Sequence, residues 1–189
     1  MVFDRTCGGL TAAWWTGQWL YRGLGRLDAS RGVTTWAEAL DWLTEVAPGR
    51  AIGEIQYWGH GNWGSIRVAE ETLTAASLLP GAPHHARLSA LRARLAPDAF
   101  FWFRTCETFG TATGHDFARR WTRFFGRRAA GHTYVIGPLQ SGLHTLGPGA
   151  EPYWSADEGV QPGETVARTS HLGAPNTITC FHGRIPDGY

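Results

Sequence analysis

The sequence predicts a single α/β domain built on a mainly parallel sheet. Three observations point there. Short apolar runs that read as strands alternate with stretches whose apolar residues recur at helical spacing. The length of 189 residues suits one domain with a sizeable core, residues 1–189 as a unit. No internal repeat and no interdomain linker divides the chain.

Taken in order, Val2 to Asp4 is a short apolar start that reads as a first strand. Thr11 to Leu27, rich in Trp, Leu and Gly, is ambiguous between helix and loop. Thr34-Thr35-Trp36 opens like a capped helix, with Trp36, Leu40 and Leu43 on one face until Pro48-Gly49 stops it. Ile52 to Trp58 reads as a strand that runs into Gly59-His60-Gly61, and Ser65 to Leu73 as a small hairpin. Pro83 to Leu95, with Leu88, Leu91 and Leu95, reads as a helix. Ala99 to Phe103 is a buried strand ending just before Cys106, Phe117 to Phe125 a helix, and Tyr134 to Ile136 a further strand. From Pro138 to Gly163 the chain is loop-like, and Thr177 to Phe181 closes it as a last strand. Residues 138–189 are therefore the least regular part.

Composition narrows the function. All 17 basic residues are arginine and the net charge is +1, which gives no strong pull toward nucleic acid or a membrane. The local exception is Arg119 to Arg128, where Phe117, Trp121 and Phe124 at helical spacing make the arginines the solvated face of an amphipathic helix or a site for an acidic protein partner. The opening MVFDRTCGG carries no signal-peptide pattern, and no segment has membrane-spanning length. The cysteines at 7, 106 and 180 make neither a CxxC pair nor an even-numbered framework, so a cytoplasmic protein with free thiols is expected. No nucleotide-binding or HExxH motif is present, and no cofactor or metal is expected.

Two strand ends carry the chemistry. If strands 52–58 and 99–103 are parallel neighbours joined by a helical crossover, both carboxyl ends emerge on one sheet edge, where open α/β sheets place their sites. His60 lies just past one end and Cys106 just past the other. A thiol needs a neighbouring base to become a strong nucleophile, and an imidazole can take that proton and return it to a leaving amine. The N–H groups of Gly61 and Cys106 could form an oxyanion hole, and the glycines beside His60 allow close approach. Read alone, Cys106 would be a small buried hydrophobe.

An apolar strand ending in His-Gly, followed about 45 residues later by one ending in Cys, resembles the caspase-like cysteine peptidases. WGHGNWGSIRV with TCETFGTATGHDFARRW looks most like the small bacterial domains of that group, and Cys-Glu-Thr is similar to the Cys-Glu-Ser of legumains. The resemblance covers roughly Val2 to Gly137. It implies a caspase-like three-layer sandwich, a cysteine endopeptidase (a hydrolase) acting on proteins or peptides, Cys106 as nucleophile and His60 as general base and acid. It also implies that Arg104, two residues before the nucleophile, lines the primary specificity pocket, where its guanidinium would suit Asp or Glu. The competing role for Arg104 is a bridge to an internal acid such as Glu107 or Asp4. The sequence departs from caspases, which have Gln-Ala-Cys-Arg-Gly at this point, and a non-catalytic module that binds a protein partner stands as the alternative.

The remaining candidates rank lower. His132 follows Cys106 and opens a predicted strand, so His60 is preferred as the base. His84-His85 and Cys180-x-His182 lack zinc-site spacing. Cys7 and Cys180 read as buried residues of the first and last strands. Trp58 and Trp102 read as sheet packing, whereas Trp63, in the loop after His-Gly, is the candidate for substrate contact.

Overall fold

The computed structural model describes residues 1–161, 165–177, 183–186 and 188–189. A six-stranded sheet runs through the molecule, with a three-stranded sheet attached at one edge. In chain order the elements are β1 (Val2–Asp4), α1 (Gly9–Gly23), β2 (Arg31–Val33), α2 (Trp36–Glu45), β3 (Ile52–Trp58), β4 (His60–Asn62), β5 (Ser65–Val68), β6 (Glu71–Thr74), α3 (His85–Ala93), β7 (Leu95–Arg104), α4 (Thr111–Phe125), β8 (Arg128–His132) and β9 (Leu143–Leu146). The main sheet has the order β2-β1-β3-β7-β8-β9, parallel except for β9. One face buries Phe101, Phe103, Ile55 and Tyr57 against α2, α3 and α4. On the other face Tyr21 of α1 packs with Phe3 and Trp58, and Phe100 and Trp102 pack with Leu143 and Ile185. The arrangement is compatible with a three-layer sandwich. Among the described residues, no helix is long and apolar enough to cross a membrane.

Local chemistry explains the boundaries. Thr35 caps α2 by accepting the Glu38 N–H at 3.0 Å, and Glu38 reaches back to the Thr34 N–H at 2.9 Å. Helix α4 buries Phe117, Ala118, Trp121 and Phe125 along one face and ends at Gly126, whose φ of 64° only glycine adopts without strain. Its outward arginines are taken internally: Arg120 pairs with Asp116, and Arg119 and Arg123 with Glu151.

Strands β3 and β7 are adjacent and parallel, as the crossover argument requires. Their register is continuous from Glu54↔Phe100 to Trp58↔Arg104. Upstream it jumps, with Ile52 opposite Leu95, so the Ala96–Asp98 stretch bulges from the ladder.

Several expectations need correction. Thr11 to Leu27 resolves into α1, whose Gly17 lies so close against Trp58 that a Cβ would collide with its ring. The short edge strand β2 carries too little apolar pattern to be read beforehand, with only Val33 buried. The strand expected at Tyr134–Ile136 lies earlier, at β8, and His132 ends it rather than opening it. The loop-like region from Pro138 contains β9. Cys7 is not on the first strand but in the turn after it, half-buried, donating its thiol to Asp4 Oδ2 at 3.2 Å. The last strand expected over Thr177 to Phe181 falls mostly on residues 178–182, outside the described residues, and so do Cys180 and His182.

Candidate active site at the carboxyl edge of the sheet

The site grows from the pairing of Trp58 with Arg104. His60 and Cys106 each lie two residues beyond that pair, on the same edge of the sheet. His60 opens β4, which pairs with β5 through His60↔Arg67 and Gly61↔Ile66. Cys106 lies in the loop joining β7 to α4.

The two segments touch through their backbones. A Cβ on Gly61 would fall 2.5 Å from the Cys106 carbonyl oxygen and 2.8 Å from Thr105 Cβ, and it would collide with Thr108 Oγ1. Only a residue without a side chain fits between the His-Gly turn and the Cys loop. Thr108 stitches the same seam, its hydroxyl lying 3.2 Å from both the Ser65 and Cys106 carbonyls, with Thr105 Oγ1 at 2.6 Å. The Gly64 N–H closes it by donating to the Thr108 carbonyl at 3.0 Å. From the other side, Glu107 and Phe109 donate their N–H groups to the Tyr134 and His132 carbonyls, each at 2.9 Å. Glu107 holds φ at 45°, a left-handed conformation unusual for a residue with a side chain.

The Cys106 thiol is half-buried, and its Sγ lies 3.8 Å from the Ile136 carbonyl oxygen. Burial pushes the thiol above its ordinary range, and the charge of Glu107 adds to the rise. Burial likewise raises Glu107, whose Oε2 has no hydrogen-bond partner among the described residues. A thiol in this setting rests protonated at neutral pH, so it needs a base to act. The His60 ring is half-buried and stands edge-on to Trp14 of α1, with centroids 5.8 Å apart.

Burial makes His132 a weak base. It is fully buried, and burial lowers its pKa to about 3. Its Nδ1 lies 3.2 Å from the Ser141 carbonyl.

Arg104 is 7% exposed and held among aromatic rings, its Cζ 4.2 Å from the Trp58 centroid and 4.6 Å from that of Trp102. Its guanidinium donates to the Tyr21 hydroxyl and, at 3.0 Å, to Gln140 Oε1. The Asp4 carboxylate is engaged elsewhere, by Thr6, Cys7 and the Ala69 N–H. Trp63 is half-buried beside Gly110, where a Cβ would meet its Cδ1 at 3.0 Å, and it lines an open cleft with Ser65, Thr74 and Thr113. Trp58 and Trp102 are buried, as their strand positions imply. A separate hollow at the opposite, amino edge of the sheet is lined by Leu27, Trp42, Ile52 and Glu54, and none of the motif residues reaches it.

Two contributors carry no motif. Asp4 is fully buried, and although burial alone would raise its carboxyl, hydrogen bonds from Thr6, Ala69 and Cys7 hold it below the usual range. It ties the turn after β1 to the turn between β5 and β6, and so braces the hairpin that carries His60. Thr108 is the other, and its one sequence signal is the Thr-x-x-Thr spacing around Cys106. The described residues contain no cluster of three or more His, Cys, Asp or Glu able to hold a metal ion. Compared with known proteins, the chain matches no family model, no curated protein and no solved structure.

Proposed function

We propose that the protein is a cysteine endopeptidase of the caspase-like type, with Cys106 and His60 as its dyad. The observation that carries the reading is the seating of Gly61 on the Cys106 carbonyl, which brings the two motif segments into backbone contact. In the proposed reaction His60 takes the Cys106 proton as Sγ attacks the scissile carbonyl carbon. The resulting oxyanion is held by the N–H groups of Gly61 and Cys106. Collapse expels the amine, which leaves with the proton from the imidazolium, and a thioester remains on Cys106. Water, deprotonated by His60, then attacks the thioester, releasing the acid and restoring the thiol.

Arg104 supports a preference for Asp or Glu before the scissile bond. It lies two residues before the nucleophile, and the Trp58 and Trp102 rings hold its guanidinium in place in advance. In this reading a substrate carboxylate exchanges with the Gln140 amide.

The competing reading is a non-catalytic module that binds a protein partner. It draws on the direction of the thiol, which meets the Ile136 carbonyl, and on the His60 ring, which rests against Trp14. Labelling with a peptidyl acyloxymethyl ketone separates the two. The peptidase reading requires mass spectrometry to place the adduct on Cys106 and requires labelling to vanish in His60→Ala. An intact wild type that resists the probe supports the binding module instead.

A further inference from the structure

Helix α1 is amphipathic in an unexpected sense. Its polar Gln18 is buried, hydrogen-bonded through its side chain to Ser30 Oγ at 2.6 Å, while Trp15, Trp19 and Leu20 are each more than half exposed. Leu10 adds a further exposed side chain at the first turn, 49% exposed. Of the eight large apolar side chains that stand out among the described residues, these four share one helix. At the 100° step of a helix, Trp15, Trp19, Ala12, Thr16, Leu20 and Ala13 span about 160° of outward arc without a charge. The Thr16 hydroxyl donates back to the Ala12 carbonyl at 2.9 Å, which leaves the arc little side-chain hydrogen bonding beyond the indole N–H groups. A protein interface of ordinary make-up offers about one hydrogen bond per 100–200 Å². This face does not.

Along the segment itself the charge has one sign, and the nearest exposed acid, Asp28, faces Arg50 at 3.9 Å. From Arg5 to Leu27 the chain holds three arginines and no Asp or Glu. Arg26 is taken by Glu54, whereas Arg5 and Arg22 are exposed, with the Arg22 guanidinium 5.7 Å from the Trp19 ring centroid. A parallel pairing of α1 with the α1 of a second copy would bring Arg22 near Arg22, and in any pairing neither helix offers an acid to answer it. Paired indoles, leucines and bordering arginines without acids are what a helix lying in a headgroup layer needs: apolar burial, amphipathic rings at the boundary and attraction to negative headgroups.

We propose that the outward face of α1 docks on an anionic lipid surface. Trp14 of the same helix contacts the His60 ring, so docking would hold the sheet edge that carries His60 and Cys106 close to the bilayer. Flotation of the full chain with phosphatidylcholine vesicles, with and without one third phosphatidylglycerol, tests this. The protein is expected to float with the anionic vesicles. Partitioning should fall about tenfold or more in Trp15→Ala/Trp19→Ala, whose side chains are exposed and leave the core intact. Arg22→Glu should weaken binding to the anionic vesicles and leave the residual affinity for pure phosphatidylcholine unchanged. The proposal is overturned by absence of binding to anionic vesicles or by equal partitioning of wild type and the double variant. A dimer seen by light scattering that the double variant dissolves, with no vesicle binding, would instead assign the face to a second copy. Each readout is independent of hydrolysis and can be taken with Cys106→Ala.

Discussion

Adding one methyl group at Gly61 tests the seam between the two motif segments directly. In Gly61→Ala the new Cβ would lie 2.5 Å from the Cys106 carbonyl oxygen, where ordinary contact begins near 3.4 Å. Relief therefore needs about 0.9 Å of movement, and the atoms in the way are backbone and a hydroxyl already hydrogen-bonded on both sides. Overpacking of this kind costs about 1–3 kcal/mol. For a chain of this size each kcal/mol lowers Tm by about 2–4 °C. Calorimetry should therefore show a Tm lower by several degrees with the protein still folded. The larger effect falls on chemistry, because a displacement of about 1 Å between reacting groups costs on the order of 100-fold in rate. Turnover of a peptide substrate and the rate of peptidyl-ketone labelling should both drop by about that factor, while alkylation by iodoacetamide, which needs no positioned oxyanion donor, changes little. Gly61→Pro, which also removes the N–H, should be worse still. A folded Gly61→Ala protein with wild-type Tm and turnover would refute the reasoning.

Cys106→Ala and His60→Ala should each abolish hydrolysis with the circular dichroism spectrum unchanged, whereas Cys7→Ala and Cys180→Ala keep most of it; an inactive Cys180→Ala would move the nucleophile. The raised thiol pKa predicts that iodoacetamide reacts with Cys106 more slowly than with a free thiol at neutral pH, with the rate still climbing above pH 9. Glu107→Gln should speed the neutral reaction by removing a charge that opposes the thiolate, and an unchanged pH profile would dismiss that charge as a contributor. For His132 the folded pKa, about 3, lies below the ordinary 6.5, so its stability contribution is present above pH 6.5 and is lost as pH falls toward 3. Denaturant titrations should show that loss at up to about 1.4 kcal/mol per pH unit, and His132→Gln should flatten it. Arg104→Ala should erase a preference for Asp or Glu in peptide-library profiling; a preference for Arg or Lys in the wild type would overturn the pocket assignment.

What could be read from the sequence followed the strength of local signals. Ile52–Trp58 was legible to the residue because a glycine follows at once and four successive buried residues precede it. The start of β7 was not, because Pro97 and Asp98 are exposed and break the apolar run that marks its buried end. β8 was displaced because its interior is Ala129, Ala130 and Gly131, small residues, the last of them packed under Phe109, that carry little strand propensity, whereas Tyr134-Val135-Ile136 advertises a strand it does not form. At the site, His60 and Cys106 were legible through the glycines and the strand context. Asp4 and Thr108 were not, since their partners Ala69 and Ser65 are 65 and 43 residues distant and only the fold unites them. The packing of Arg104 among Tyr21, Trp58 and Trp102 was hidden for the same reason.

The bulge at Ala96–Asp98 bears on how such a chain can change in length. Upstream of Glu54↔Phe100 the β3–β7 ladder already absorbs unequal residue counts on its two strands, so an insertion or deletion near Pro97 has a place to go. Downstream there is none. The paired stretches Glu54–Trp58 and Phe100–Arg104 span the same number of steps, and adding one residue to either would turn the side chains beyond it to the opposite face and shift the segment that carries His60 or Cys106. Lineages derived from this chain would be free to lengthen at one end of the strand pair while the interval to the histidine and the cysteine stayed fixed.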